Sequence, residues 1–148
     1  VNTSPIAQAV VGGALLENAY SLDAANGREQ EVYRRNLRQV VDGLEARFAN
    51  CPGVSWNTRA GGFFVSVTVP FTADDDLLEL SARRSGVLWT PMCHFYSGPG
   101  GTNELRLSVS SLTGDRIEEE LDRLAALVAE RGCAPVNTQL MQSGGRAP

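Results

Sequence analysis

Two short segments of strict alternation constrain this chain more than any other feature. Phe63, Val65, Val67 and Val69 are separated by Phe64, Ser66 and Thr68, and Leu105, Leu107 and Val109 are separated by Arg106 and Ser108. A period of two puts successive side chains on opposite faces of a strand, so each segment offers one face to a core and the other to something else. Helical periodicity surrounds them. Tyr33, Leu37, Val40, Val41, Leu44 and Phe48 form one apolar stripe, and Ile117, Leu121, Leu124 and Val128 form another. Each stripe must bury against a neighbouring element. A helical bundle has no place for the alternating segments, so the pattern predicts an α+β layer arrangement.

The punctuation sets the expected boundaries. Ser4 and Pro5 read as N-cap and first helical residue of a helix over 6–20, weakened by Gly12 and Gly13. A polar break at 24–27 separates it from the long helix, which Cys51-Pro52-Gly53 ends. A short strand is expected over 54–58, and Thr72 with Asp75 reads as a capping box opening a helix through Arg84. Val87 to Thr90 reads as a strand, 97–102 as a glycine-rich loop and Glu104 to Ser110 as a strand. The last helix begins near Thr113 or Asp115, and the Gly, Ser, Pro and Gln-rich stretch from Cys133 is expected to be a tail. The predicted order is α-α-β-β-α-β-β-α.

Composition removes several function classes. The 148 residues carry a net charge of −4, with no basic footprint for nucleic acid or anionic lipid. All thirteen basic residues are arginine. Without lysine, this polypeptide acting alone has no Schiff-base amine, no Walker-type phosphate loop and no lysine base. One histidine and three scattered cysteines, Cys51, Cys93 and Cys133, are too few for a zinc site. The odd cysteine count without CxxC pairs predicts reduced thiols in a cytoplasmic protein. No apolar run reaches the ~18–20 residues of a bilayer span, so the chain is expected to be soluble. It opens on Val1 without a leader pattern, as expected if a segment was removed or if the chain began inside a longer one.

Few residues point to chemistry. Arg106 lies mid-strand between Leu105 and Leu107, on a face otherwise carrying small hydroxyl residues. It suits either a bidentate fork on a carboxylate or an ordinary solvated position. Gly61 and Gly62, before Phe63 and Phe64, admit close approach of a ligand or make a plain turn. His94, Phe95 and Tyr96 follow a strand, where loops carry function, although a lone histidine also serves structure. The loop at 98–101 precedes a strand and lacks a lysine, which rejects phosphate binding; Asp74 to Asp76 are explained by helix capping, and no Gly-x-Ser-x-Gly elbow is present.

The succession of motifs carries more. Asn2-Thr3-Ser4-Pro5 with Gln8, Tyr33-Arg34-Arg35, Gly61-Gly62-Phe63-Phe64, Gly86-Val87, Pro91 with Phe95, Leu105-Arg106-Leu107-Ser108 and Ile117-Glu118-Glu119 follow one another over residues 1–131. This order resembles the C-terminal part of class I/II, fold-type I aminotransferases, which use pyridoxal 5'-phosphate (PLP). The resemblance implies connecting helices over 1–50, a small domain with a mainly antiparallel sheet and helices on one face over 51–132, and a tail over 133–148. The lysine and most cofactor contacts would belong to a large N-terminal domain, leaving this chain inactive alone.

The resemblance also implies roles. Arg106 would bind the substrate α-carboxylate, with Gly61, Gly62, Phe63 and His94 on the substrate side. Asn2, Thr3 and Ser4 would approach the cofactor across a homodimer interface. Partners would be the large domain, an amino acid and a 2-oxo acid. Many members have Pro-Gly where this chain has Pro91-Met92, implying a different substrate-facing surface. Within the family, 89–96, the glycine loop and Arg-Leu-Ser are most similar to transaminases that make arylglycines for peptide antibiotics. Other PLP reactions, decarboxylation or cyclopropane synthesis, would depend on residues outside this chain. Outside the resemblance, the competing class is a non-enzymatic α+β interaction module or split-gene partner. The first helices are expected to present apolar surface that another part of the protein covers.

Overall fold

The computed structural model describes residues 3–57, 61–110 and 112–132. Asn2, Thr58 and the 133–148 tail lie outside them. The elements are α1 (Pro5–Glu17), α2 (Leu22–Phe48), β1 (Ser55–Trp56), β2 (Phe64–Thr68), α3 (Asp75–Arg84), β3 (Thr90–Pro91), a short 3-10 helix (Met92–Phe95), β4 (Glu104–Ser108) and α4 (Gly114–Glu130). The α+β order matches the expectation, with the 3-10 turn added.

The sheet has four strands in the order β1-β2-β4-β3, and every neighbour is antiparallel. Residues opposite each other in such a ladder share a face. Val65 faces Leu107 and Val67 faces Leu105 on the inner side, whereas Ser66 faces Arg106 and Phe64 faces Ser108 on the outer side. Val65, Val67 and Leu105 are fully buried, in one core with Leu44 and Phe48 of α2, Leu77 of α3 and Ile117, Leu124 and Val128 of α4. The register therefore commits Arg106 to the side away from the core.

Helix α2 binds the layers together. A Cβ at Gly43 would run into the Leu121 side chain, so glycine allows α2 and α4 to close upon each other there. Beside this contact, Arg47 Nη2 lies 2.6 Å from Asp122 Oδ1 and 3.0 Å from Glu118 Oε2. Buried Asn36 donates from Nδ2 to the carbonyls of Val109 and Leu112, each at 2.9 Å, tying α2 to the segment between β4 and α4. Ser81, also buried, donates to the Val87 carbonyl at 2.8 Å and accepts from Trp89 Nε1 at 3.2 Å.

Several local expectations are corrected. Helix α1 stops at Glu17 rather than Tyr20, because Ala19 and Tyr20 adopt left-handed φ of 51° and 60°. Ser4 occupies the N-cap without a side-chain cap bond. The break expected at 24–27 lies inside α2; Ser21 is the N-cap, accepting from the Ala24 amide, and Gly27 sits in open space. Asp74, not Thr72, caps α3 through the Leu77 amide. The strand expected over 87–90 shortens to Thr90–Pro91, since Ser81 takes the Val87 carbonyl that a strand neighbour would have taken. Phe63 leaves the core face and stacks on Tyr33. Cys51 is disulfide-bonded and Cys93 is a free thiol, so the reduced-thiol expectation fails at Cys51.

Among the described residues, no helix is long and apolar enough to cross a membrane.

Two outcomes follow from these contacts. Asn36→Ala takes the Asn36 donor from a buried carbonyl, Val109, and a half-buried one, Leu112, and should lower unfolding free energy by about 1–3 kcal/mol in urea titrations. The Glu118 carboxyl is held below the ordinary glutamate range, first by the Gln39 amide and then by Arg47, against a smaller opposing effect of burial than of the Gln39 bond. A depressed carboxyl stabilises the fold above its unfolded pKa, and that contribution disappears as pH falls through the folded value. Acid titration of stability should therefore show a smaller loss in Glu118→Gln than in the parent chain.

Candidate carboxylate site on the outer sheet face

The parity of β4 sets the site. Arg106 faces outward opposite Ser66 on β2 and Thr90 on β3, so small side chains flank the guanidinium across the sheet. Two aromatic rings lie against the guanidinium. Cζ lies 4.1 Å from the centroid of Phe64, on β2, and 4.1 Å from that of Phe95, at the end of the 3-10 helix. The ring quadrupole attracts the cation at this separation. Arg106 Nε is buried and has no hydrogen-bond partner, and among the described residues no carboxylate pairs with the side chain. A half-buried cation without a counter-ion leaves its charge unmet.

The aromatic surface continues past Phe64. Its ring centroid is 4.5 Å from that of Phe63, which in turn is 5.7 Å from that of Tyr33 on α2. Beyond Tyr33 lies a cavity of about 320 Å³ lined by Gln30, Tyr33, Arg34, Leu37, Gly61 and Gly62. Gly61 and Gly62 thus join the surface that reaches Arg106 through Phe63 and Phe64. His94 is placed differently: its Nε2 is 3.0 Å from Asp75 Oδ1 in the first turn of α3. Thr3 and Ser4 are exposed at the start of α1, where Gln8 donates to the Thr3 hydroxyl.

The glycine loop has a packing explanation. Gly101 has φ +65°, and a Cβ there would stand 2.7 Å from the Tyr96 ring and 2.8 Å from the Met92 carbonyl carbon. The loop wraps Tyr96, whose hydroxyl donates to Glu104 at 3.2 Å. That bond raises the Tyr96 pKa above the ordinary tyrosine value. Phe95 and Tyr96 are singled out from sequence only as part of a loop that could carry function, and Phe64 only as the neighbour of the paired glycines; strand parity puts Phe64 on the Arg106 face, but no sequence signal brings Phe95 over it.

No protein-family model matches the chain. Over 131 residues, 88% of this chain, it is 56% identical to the C-terminal part of (S)-3,5-dihydroxyphenylglycine transaminase of Amycolatopsis orientalis. The chain belongs to the aminotransferase family. It is also 28% identical over 121 residues to aromatic-amino-acid aminotransferase 1 of Thermococcus litoralis. It spans only 30% and 28% of the lengths of these two relatives. Among solved structures, α-aminoadipate aminotransferase LysN of Thermus thermophilus matches 83% of this chain and 30% of its own, with TM-score 0.70 and 26% identity. Kynurenine aminotransferase of Pyrococcus horikoshii matches 82% and 30%, with TM-score 0.69 and 28% identity. The α+β fold is therefore that of an aminotransferase small domain.

In this aminotransferase domain, Gly101→Ala should cost at least about 1–2 kcal/mol from the left-handed backbone alone, before the overlap with Tyr96 is counted. Thermal denaturation of the variant beside Gly62→Ala, which has φ +97° but open space, and Gly100→Ala, which meets the Tyr96 ring without a positive φ, separates the two causes.

Proposed function

We propose that this chain is the substrate-carboxylate-binding part of a PLP-dependent aminotransferase, acting with a larger N-terminal portion of the same protein. The observation that carries the reading is Arg106 itself: a guanidinium ringed by aromatics, with a buried unpaired Nε and no acidic partner among the described residues. A carboxylate meets such a fork with two parallel charge-assisted hydrogen bonds, a geometry an ammonium does not offer. Amino acids and 2-oxo acids share the α-carboxylate, so one arginine serves both halves of an amino exchange.

The residues described here do not fit the cofactor's aldehyde. The sequence has no lysine to condense with it, and the Thr3 hydroxyl is engaged by Gln8. PLP, when bound, supplies the carbonyl that carries the amino group between substrates. Its main contacts are assigned to the remainder of the protein, and the start of α1, Asn2 to Ser4, is the part of this chain that would approach it across a homodimer interface. Arg106 contributes by fixing the acid end of the substrate, which orients the bonds at Cα before reaction. Gly61, Gly62 and Phe63 would lie on the substrate side of the same surface.

An arylglycine or other aromatic substrate, of the kind used in antibiotic biosynthesis, is favoured by two observations. The 56% identical relative is a dihydroxyphenylglycine transaminase, and the Tyr33–Phe63–Phe64 run offers ring faces beside the arginine. Helix α1 supports a covering partner: Ile6, Val10, Val11 and Leu16 are all exposed, an apolar surface of the kind that marks an interface. The large domain or the second subunit would occupy it.

In the complete enzyme, Arg106→Lys should raise KM for amino acid and 2-oxo acid at least about tenfold, as loss of one charged hydrogen bond implies, with the cofactor absorbance unchanged. Steady-state kinetics with both substrates tests this, and an unaltered KM refutes the assignment.

A further inference from the structure

We propose that Phe64 and Phe95 are positioning residues, a two-ring clamp that fixes the plane of the Arg106 guanidinium and makes the site selective for planar acid groups. The proposal rests on the reading of Arg106 as a carboxylate site and adds how that site is held and what it rejects.

All five N–H donors of a guanidinium lie in its plane, and its two faces carry none. Here the guanidinium carbon lies 4.1 Å from the centroids of two rings carried on separate elements, Phe64 on β2 and Phe95 on the 3-10 turn. Nε is also enclosed, so of the three nitrogens it is the far pair, Nη1 and Nη2, that remains for a ligand. What is left open is an edge between two rings. A carboxylate coplanar with the guanidinium enters such a slot with both oxygens in the donor plane. A tetrahedral oxyanion carries oxygens above and below that plane, where the rings stand. Exclusion of water from both faces strengthens the remaining in-plane bonds.

The clamp needs its own support, because one jaw sits on a four-residue 3-10 turn with few bonds of its own. That turn is pinned on both sides of Phe95. His94 Nε2 is held 3.0 Å from Asp75 Oδ1, and the Tyr96 hydroxyl donates to Glu104 at 3.2 Å. Asp75 belongs to the first turn of α3 and Glu104 to the first residue of β4, the strand that carries Arg106. Phe95 is thus referred to the strand whose arginine it covers. The other jaw, Phe64, is fixed directly by the β2–β4 ladder. His94 thereby acts on the substrate side through Phe95 and not by contact with the acid group.

The test uses the full-length aminotransferase containing this chain. Inhibition constants are measured for 3-phenylpropionate, a planar acid that does not react, and for 2-phenylethylphosphonate, its tetrahedral counterpart, alongside KM and kcat for an aromatic amino acid. Phe95 is 53% exposed, so Phe95→Leu removes the ring with little loss of packing and is the deciding variant. Loss of one cation–π face should raise KM and the carboxylate inhibition constant by about five- to tenfold, with kcat changed by less than about twofold. The preference for carboxylate over phosphonate should narrow, and Phe95→Tyr should restore both. Phe64→Leu and His94→Ala should shift the same constants in the same direction. If Phe95→Leu leaves the carboxylate constant and the preference unchanged while Arg106→Leu abolishes carboxylate binding, the clamp is wrong and the carboxylate site stands. If Arg106→Leu itself has no effect, the underlying site reading is wrong.

Discussion

A cation half-withdrawn from water without a counter-ion is the constraint around which this domain is arranged. Removing a guanidinium from solvent is unfavourable unless its charge is met, and among the described residues Arg106 has two aromatic rings and no carboxylate beside it. The rest of the fold holds that condition in place. The inner face of the sheet is committed to a core of Val65, Val67 and Leu105 under α2 and α4, and strand parity then leaves Arg106 no inward alternative. The cost of the unpaired charge is carried by packing elsewhere in the domain.

This arrangement gives a reason for the close contact of α2 and α4, away from Arg106. A one-residue slip of β4 against β2 would turn Arg106 inward and Leu105 outward. Asn36 guards against that slip at one end of the strand, through the carbonyls of Val109 and Leu112, and the glycine loop around Tyr96 guards the other. The Arg47 cluster with Glu118 and Asp122 sits at the surface, where ion pairs contribute little each; its value is in fixing the rotation of α4 under the sheet.

The period-two segments were readable because alternation reports directly on burial, and Arg106 stood out because a charge interrupts one of them. Boundaries were less readable. A polar stretch at 24–27 looks like a break, yet an exposed helix tolerates it once Ser21 caps the end. The strand expected over 87–90 is lost to Ser81, a competitor for the Val87 carbonyl that lies in a different helix. Phe95 over Arg106 was out of reach for a related reason. It depends on the pairing of β3 with β4 and on the fold of a loop between them, and neither leaves a local trace. The resemblance named Arg106 as the carboxylate residue, but it could not say what the guanidinium rests against.

The two jaws of the clamp differ in how firmly they are held. Phe64 is the first residue of a central strand and is paired there with Ser108 of β4, while β1 pairs further along at Val67 and Thr68. Phe95 sits on a turn next to an edge strand of two residues, and its two pins are exposed side-chain contacts. Local stability in a fold follows the density of buried contacts, so Phe95 is the less firmly held of the two rings. In the proposed clamp Phe64 is then the firmer reference against which Arg106 is oriented. A site built with both rings on the sheet would be more rigid but closed, and one with both on loops would leave the charge without a defined plane.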